Sequence, residues 1–227
     1  MPEDTTEIFK KIFLERSWPS SESVSGAGSD FNNTERLIRE LPGFLRRLGV
    51  QSMLDVPCGD FNWMRHVDLS GISYTGADIV AELVVANQAR YASEGRRFIH
   101  LDLLRDRLPD YDLILCRDCL FHFSHEDAFT VLRQIANTSA RYLLTTTFTY
   151  QSYPRNIPIA TGQWTPINLE MEPYSLGPPK ALLVEGSNES ISYSPDIGTV
   201  PMYDRCLGLW EMDSVRARLN AINPVRF

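Results

Sequence analysis

The sequence has no run of about 18 consecutive apolar residues, so it offers no candidate for a membrane-spanning helix. Its first residues are acidic and lack the apolar stretch of a secretory signal, from which we expect a cytoplasmic protein. No basic cluster is present, and 29 Asp and Glu outnumber 22 Lys and Arg. Because nucleic-acid backbones are bound by clustered basic side chains, we expect no nucleic-acid partner, and no membrane partner either.

Cysteine is also scarce, with four residues in a chain of 227. Without a secretory signal they favour a reducing compartment over a disulfide framework. Cys116, Cys119 and His122 have the spacing of half a zinc site. A structural zinc normally takes four ligands, and no second cluster follows. We therefore predict packing roles for the cysteines and no metal, with a metal or redox role as the alternative.

The length and the 43% hydrophobic content fit one folded domain. From residue 50 onward, short apolar runs alternate with helical patterns, which is typical of βαβ units around a parallel sheet. Two late strands, 181–185 and 206–212, are joined by an irregular segment and are expected to pair antiparallel. The predicted divisions are an N-terminal helical flap at 1–48, a core at 50–148, a lid at 149–180 and a last hairpin at 181–227.

The proposed flap contains two features that leave alternatives open. The small-residue segment from Ser20 to Ser29 is either a plain linker or a flap that closes over a site. A helix is predicted over 34–48, and Pro42 is expected to break or kink it.

Polar and turn residues follow each of the first four predicted strands, where ligands bind in open α/β sheets. Asp78 ends the second strand and suits the two hydroxyls of a ribose, so a nucleoside cofactor is indicated. The glycine-rich turn of dinucleotide sites is missing, because this turn has a single glycine, Gly59, flanked by Pro57 and Phe61. A cofactor without a pyrophosphate, such as S-adenosylmethionine, fits this turn better.

Four segments resemble motifs of the class I S-adenosylmethionine-dependent methyltransferases, in the family's order and covering roughly residues 45–150. They are Leu54–Asp60, Gly76–Ile79, His100–Leu103, and Asp112–Asp118 with Leu120–Phe123. Pro57 and Phe61 depart from the family's usual glycines, and further segments look like a less studied bacterial subgroup. The resemblance implies a Rossmann-like three-layer sandwich with a mostly parallel seven-stranded sheet and an antiparallel last strand.

The resemblance also implies roles for residues at this edge of the sheet. Gly59 and its neighbours would approach the methionine moiety, Asp78 would hold the ribose, and Asp102 would accept from the adenine amino group. Arg117 would pair with the cofactor carboxylate or an anionic acceptor, with a structural ion pair as the alternative. The predicted cofactor-binding set is Asp55, Pro57, Gly59, Asp78, Ile79, Asp102, Leu103 and Arg117.

Methyl transfer to a hydroxyl needs a base, and His122 is the histidine that combines a position past the fourth strand with a nearby carboxylate, Asp118. We predict His122 and Asp118 as the catalytic residues. The alternative is that His122 fixes its loop by a hydrogen bond.

The segment 149–205 holds 8 of the 14 prolines, and a long irregular segment of this kind is usually functional. Its polar and aromatic side chains suggest a polar acceptor, and we predict that four of them bind it: Arg155, Trp164, Asn168 and Tyr174.

The predicted function is S-adenosylmethionine-dependent methylation of a small polar molecule, with a hydroxyl of a sugar or natural-product intermediate preferred. The alternatives are N- or carboxyl-methylation, a nicotinamide-dependent oxidoreductase, and a nucleoside-binding protein without catalysis. The sequence leaves the acceptor and the oligomeric state open, a homodimer being one option.

Overall fold

The computed structural model describes residues 4–149, 155–185, 191–194, 198–201 and 205–222. Five helices lie within these ranges: α1 (Thr5–Glu15), α2 (Phe31–Arg47), α3 (Ala81–Tyr91), α4 (His125–Ala136) and α5 (Met212–Ala221). The strands are β1 (Ser52–Asp55), β2 (Ser73–Asp78), β3 (Arg96–His100), β4 (Leu113–Cys116), β5 (Tyr142–Phe148), β6 (Ala181–Val184), β7 (Ile191–Ser194), β8 (Gly198–Pro201) and β9 (Arg205–Glu211).

Seven strands form one sheet in the order β3-β2-β1-β4-β5-β9-β6. The first five run parallel, and β9 is antiparallel to both β5 and β6. This confirms the predicted Rossmann-like sheet with its antiparallel last strand. The segment from 181 onward contains more than the predicted hairpin, because it also forms α5 and the separate β7–β8 pair.

Helices cover both faces of the sheet. On one face, α4 and α5 pack against the sheet through residues that include Leu132 and Val215. On the other face, α2 packs against the sheet through residues that include Leu37 and Leu41. The central strands are consequently buried on both sides, as their continuous apolar runs require. Among the described residues, no helix is long and apolar enough to cross a membrane.

Two predictions made from local sequence concern the start of α4 and the continuity of α2. The predicted start of α4 is confirmed, because the Ser124 side chain accepts a hydrogen bond from the Asp127 amide at 3.2 Å. The predicted interruption at Pro42 does not break α2, which continues to Arg47. Pro42 is buried in that helix together with Leu41 and Leu45, so packing holds the helix where one backbone hydrogen bond is missing.

Candidate cofactor and acceptor site

A cavity lies at the carboxyl edge of the parallel strands, as expected for this kind of sheet. Every residue of the predicted cofactor set lines it, although their contacts with a cofactor remain a prediction. The cavity's other wall comes from the N-terminal 30 residues, including Phe9, Trp18 and Ser25.

The turn after β1 makes close contact with both walls. Gly59 has a φ of +55°, which favours glycine. A β-carbon at this position would collide with the Ser25 side chain from the opposite wall. The Gly59 amide donates a hydrogen bond to Asp78 Oδ2 at 3.0 Å. Gly59 is therefore required both by the path of the turn and by the approach of residue 25.

Asp78 at the end of β2 presents a carboxylate to the cavity. The Val80 amide donates to its Oδ1 at 2.9 Å, and the Gly59 amide donates to its Oδ2. Burial raises the pKa of Asp78 to about 6 in spite of these hydrogen bonds. Each carboxylate oxygen has more than one lone pair, so Asp78 retains acceptor capacity for ligand hydroxyls.

Asp55 at the end of β1 is more deeply enclosed. The Tyr74 hydroxyl donates to its Oδ2 at 2.6 Å. Burial raises the pKa of Asp55 to about 7, although the tyrosine hydrogen bond and the Arg117 charge oppose this shift. A cationic group in the cavity would stabilise the ionised form of this carboxyl group.

Asp102 and Leu103 follow β3 on the same edge. Asp102 Oδ1 accepts a hydrogen bond from the Leu104 amide at 2.8 Å, which fixes the carboxylate in a tight turn. Its side chain is nevertheless part of the cavity lining, next to Leu103.

Arg117 after β4 forms a buried ion pair, which was one of the alternatives left open. Its Nη2 donates to Glu185 Oε2 at 2.6 Å and to the Gly28 carbonyl at 2.7 Å. Its Nη1 lies 3.1 Å from Asp118 Oδ2, and its guanidinium stacks 5.0 Å above the Trp63 ring. These contacts explain how a charged side chain is accommodated with almost no exposure to water.

Asp118 belongs to the same charged cluster and makes no hydrogen bond with His122. Burial alone would raise its pKa, but the charges of Arg117 and Arg205 outweigh that effect and lower it. Asp118 is thus held as an anion by two arginines. Its predicted catalytic role receives no support from this geometry, which gives it a structural and electrostatic role.

His122 is held in one orientation by its neighbours. Its Nδ1 lies 3.0 Å from the Gln163 carbonyl oxygen, and only a protonated Nδ1 can donate there. In the neutral ring, Nε2 then carries the lone pair. The ring stacks on Trp18 with centroids 4.7 Å apart, and burial lowers the pKa of His122 to about 4. At neutral pH the ring is therefore uncharged and able to accept a proton.

Residues that the sequence analysis did not include in the site lie in its N-terminal wall. Trp18 covers His122, and Phe9 packs edge-on against Phe123 with centroids 5.5 Å apart. Between the two alternatives for residues 20–29, the placement of Ser25 and Ser29 in the cavity wall favours a flap over a linker. The only sequence signal for Trp18 was a large aromatic side chain directly before a run of small residues.

The four predicted acceptor-binding residues do not line the cavity. Arg155 is exposed, and Tyr174 is buried against Phe129 with its hydroxyl 3.0 Å from His125 Nδ1. Asn168 is buried too, and its side-chain oxygen accepts from the Glu170 amide at 2.9 Å. Trp164 packs against the aromatic core. The structure gives no support to their predicted acceptor-binding role, and Trp164, Asn168 and Tyr174 instead make contacts within the protein.

A different part of the same segment does reach the site. The Gly162 amide donates to the His122 carbonyl at 2.8 Å, and the Gln163 carbonyl orients the His122 ring. The segment therefore supports the site through its backbone, which side-chain chemistry in the sequence cannot reveal.

We expect Trp164→Ala to lower stability and to leave substrate affinity unaffected. Trp164 makes edge-on contacts with Phe121 and Phe148, at 6.1 Å and 6.5 Å between centroids. Removing a partly buried indole of this kind should lower the free energy of unfolding by about 2–3 kcal/mol. Urea denaturation measures this loss, and binding of S-adenosylhomocysteine to the folded variant is the control. Weaker binding with unchanged stability would contradict the structural role.

Cys116, Cys119 and His122 form no metal site in the structure. Across the described residues, no three His, Cys, Asp or Glu side chains are grouped so as to hold a metal ion. All four cysteines are buried, and Cys58 and Cys119 lie in the cavity lining.

Comparison with known proteins agrees with this architecture. Residues 53–140 match a family model described as a methyltransferase domain. No curated protein sequence matches the chain. Magnesium protoporphyrin IX methyltransferase from Synechocystis PCC 6803, solved with bound S-adenosylmethionine, is 15% identical with a TM-score of 0.58, covering 91% of this chain and 97% of that one.

A second similar structure is 1,6-didemethyltoxoflavin-N1-methyltransferase from Burkholderia thailandensis with bound 1,6-didemethyltoxoflavin and S-adenosylhomocysteine. It is 17% identical with a TM-score of 0.59, and the match covers 92% of this chain and 89% of that one. At these identities the likeness establishes a shared fold.

Proposed function

We propose that the chain is a class I S-adenosylmethionine-dependent methyltransferase that methylates a hydroxyl group of a small molecule, with His122 as the base. The observation that carries this proposal is the orientation of His122. Its Nδ1 is occupied by the Gln163 carbonyl, so Nε2 is the nitrogen that accepts a proton.

The cofactor, S-adenosylmethionine, fits the cavity edge. Asp78 would accept from the ribose hydroxyls, and Asp102, which lines the same cavity, would accept from the adenine amino group. Asp55 would face the cationic methionine end. Gly59 has no side chain, and this leaves room for the Ser25 side chain of the opposite wall. When bound, the cofactor supplies an activated methyl group on a sulfonium.

This chain's residues then have two tasks in the reaction. The cavity walls hold the acceptor oxygen in line with the methyl group, which converts the transfer into an effectively intramolecular step. His122 Nε2 would accept the proton that the hydroxyl loses as its oxygen takes the methyl group, with the methyl carbon–sulfur bond broken and neutral S-adenosylhomocysteine left behind. The lowered pKa of His122 keeps this nitrogen unprotonated at neutral pH.

The surroundings of His122 narrow the class of acceptor. The cavity that His122 lines has four further aromatic residues in its lining: Phe9, Phe13, Trp18 and Phe123. Such a wall favours an acceptor with a flat or apolar face over a sugar with hydroxyls on every side. The names of the two similar structures, a protoporphyrin and a toxoflavin methyltransferase, also point to ring-shaped acceptors.

The cofactor part of the proposal is tested with Asp78→Ala. Loss of a charged acceptor for the ribose hydroxyls should weaken S-adenosylmethionine binding by about 10–100-fold, corresponding to about 1.5–3 kcal/mol. Titration calorimetry on the folded variant measures this change. Asp213→Ala, at a carboxylate that is 96% exposed on α5, is the matched control. Equal affinity in the wild type and Asp78→Ala would contradict the assignment of Asp78.

N-methylation is the second candidate, and the toxoflavin enzyme's name is the observation that favours it. A neutral amine attacks without first losing a proton, so its methylation depends less on His122. Mass spectrometry of the methylated product, with deuterium-labelled methyl groups, separates the two by the atom that carries the label.

A further inference from the structure

Residues 22–30 of the N-terminal wall contact the cofactor turn almost entirely through polar groups. The segment contains only two larger apolar residues, Val24 and Ala27, and Ala27 is exposed. Little apolar area is thus buried to hold the segment in place. Its position depends on hydrogen bonds instead.

Asp60 provides most of these hydrogen bonds. Its Oδ2 accepts from the Val24 amide at 2.9 Å, and both its carboxylate oxygens lie 3.0 Å from the Ser23 hydroxyl. The Ser25 hydroxyl donates to Oδ1 at 3.3 Å and accepts from the Asp60 amide at 3.0 Å. One carboxylate therefore gathers three consecutive residues of the segment.

Further contacts fix the two ends of the segment. Asn62 Nδ2 donates to Glu22 Oε1 at 2.6 Å and to the Ser29 carbonyl at 3.0 Å. At Gly28, a β-carbon would lie 2.7 Å from Asp118 Oδ2, and the Gly28 carbonyl accepts from Arg117. The segment thus follows the charged cluster at a distance that only glycine permits.

The same turn is hydrogen-bonded to Asp78, the carboxylate proposed to bind the ribose. Gly59, next to Asp60, donates its amide hydrogen to Asp78 Oδ2. Asp60 itself does not line the cavity, whereas Val24, Ser25 and Ser29 do. Asp60 therefore lies outside the cavity lining and holds the N-terminal wall in place without contacting a ligand.

We propose that residues 22–30, a different segment from the lid predicted at 149–180, form a lid over the cofactor. Asp60 is the positioning residue that latches this lid to the cofactor turn. This inference rests on the proposed cofactor site. Since the closed lid is stabilised mainly by polar contacts, breaking the latch shifts the equilibrium toward an open lid and leaves the core intact. The lid then controls how long cofactor and product stay bound.

Release of S-adenosylhomocysteine from the full chain, followed by stopped-flow fluorescence, tests the latch. Hydrogen bonds to a charged acceptor are stronger than those to a neutral one, so Asp60→Asn should speed release by about tenfold or more. Ser25→Ala removes the other partner and should speed release less, while Asp60 remains. Asp68→Asn is the matched control, because Asp68 also accepts from a neighbouring serine but is 60% exposed on the surface.

A second measurement separates the latch from general destabilisation. In the ligand-free protein, hydrogen exchange at the Val24 amide should accelerate about tenfold in Asp60→Asn, with the amides of β4 and β5 unchanged. Release at the wild-type rate in both latch variants would overturn the lid alone. Equal acceleration throughout β4 and β5 would also overturn it. A wild-type chain that binds no S-adenosylhomocysteine would overturn the proposed function together with the lid.

Discussion

Replacing His122 with asparagine is expected to lower kcat by about 10²–10⁴-fold, the usual contribution of a general base. Asparagine retains some hydrogen bonding but cannot accept the acceptor's proton at neutral pH. Cofactor affinity should change little, because the carboxylates proposed to hold the cofactor, Asp78 at the end of β2 and Asp102 after β3, belong to other parts of the sheet edge. The measurement is turnover with S-adenosylmethionine and an acceptor that the wild type methylates.

The pH dependence of kcat provides a second signature of the base. A free histidine loses its proton near pH 6.5, but burial lowers the pKa of His122 to about 4. The base form is the neutral ring, so it persists as the pH falls until this pKa is reached. With saturating substrates, wild-type kcat should hold to about pH 5 and decline near pH 4, and the asparagine variant should lack this decline.

His66→Asn is the matched control for this substitution, because His66 is exposed and lies outside the cavity. Wild-type turnover in the His122 variant would leave His122 with the loop-fixing role, through its hydrogen bond to Gln163. Loss of cofactor binding in that variant would instead place His122 in the cofactor site.

Asp55→Asn is expected to stabilise the ligand-free protein by about 2–4 kcal/mol above pH 7. The pKa of Asp55 is raised to about 7 by burial, against an ordinary value near 3.8 in the unfolded chain. Between these values the folded state holds a proton that the unfolded state has released. Wild-type stability therefore falls as the pH rises from about 4 to 7, and about three pKa units correspond to about 4 kcal/mol, the upper end of the stated range.

Asparagine removes this dependence because it carries no charge, and its carbonyl oxygen still accepts from Tyr74. Urea denaturation at pH 5 and pH 8.5 measures the effect, which should be much smaller at the lower pH. Asp213→Asn, on the exposed face of α5, is the control and should change neither value. A variant that is less stable than the wild type at pH 8.5 would contradict the cost assigned to the buried charge.

The cofactor edge of the site was largely predictable from the sequence. Each of its residues follows a strand of a parallel sheet, and parallel strands bring their carboxyl ends to one edge. Strand positions were visible in short apolar runs, so the positions of Asp78 and Asp102 followed from counting along the chain. The antiparallel pairing of β6 with β9 was also predictable, because the sequence between the two late strands has an irregular pattern rather than a helical one.

The acceptor side was not predictable in the same way. Tyr174 and Trp164 have side chains suited to binding, but their apolar surface is buried against the core before any ligand is met. Conversely, Asp60 and Ser25 are ordinary polar residues 35 positions apart, and only the folded chain brings them together. Long-range polar contacts of this kind leave no periodic pattern in the sequence.

All four native cysteines are buried, so they should compete little with a cysteine introduced beside the lid for chemical labelling. Burial raises the pKa of Cys58, and a hydrogen bond with Cys116 together with burial raises that of Cys119, so both thiols stay protonated at neutral pH. Protonated thiols react slowly with maleimides and iodoacetamides. A cysteine introduced at the exposed Ser21, beside the lid, would accept a fluorescent dye ahead of the native thiols. The native protein therefore supports single-site optical experiments without prior removal of its own cysteines.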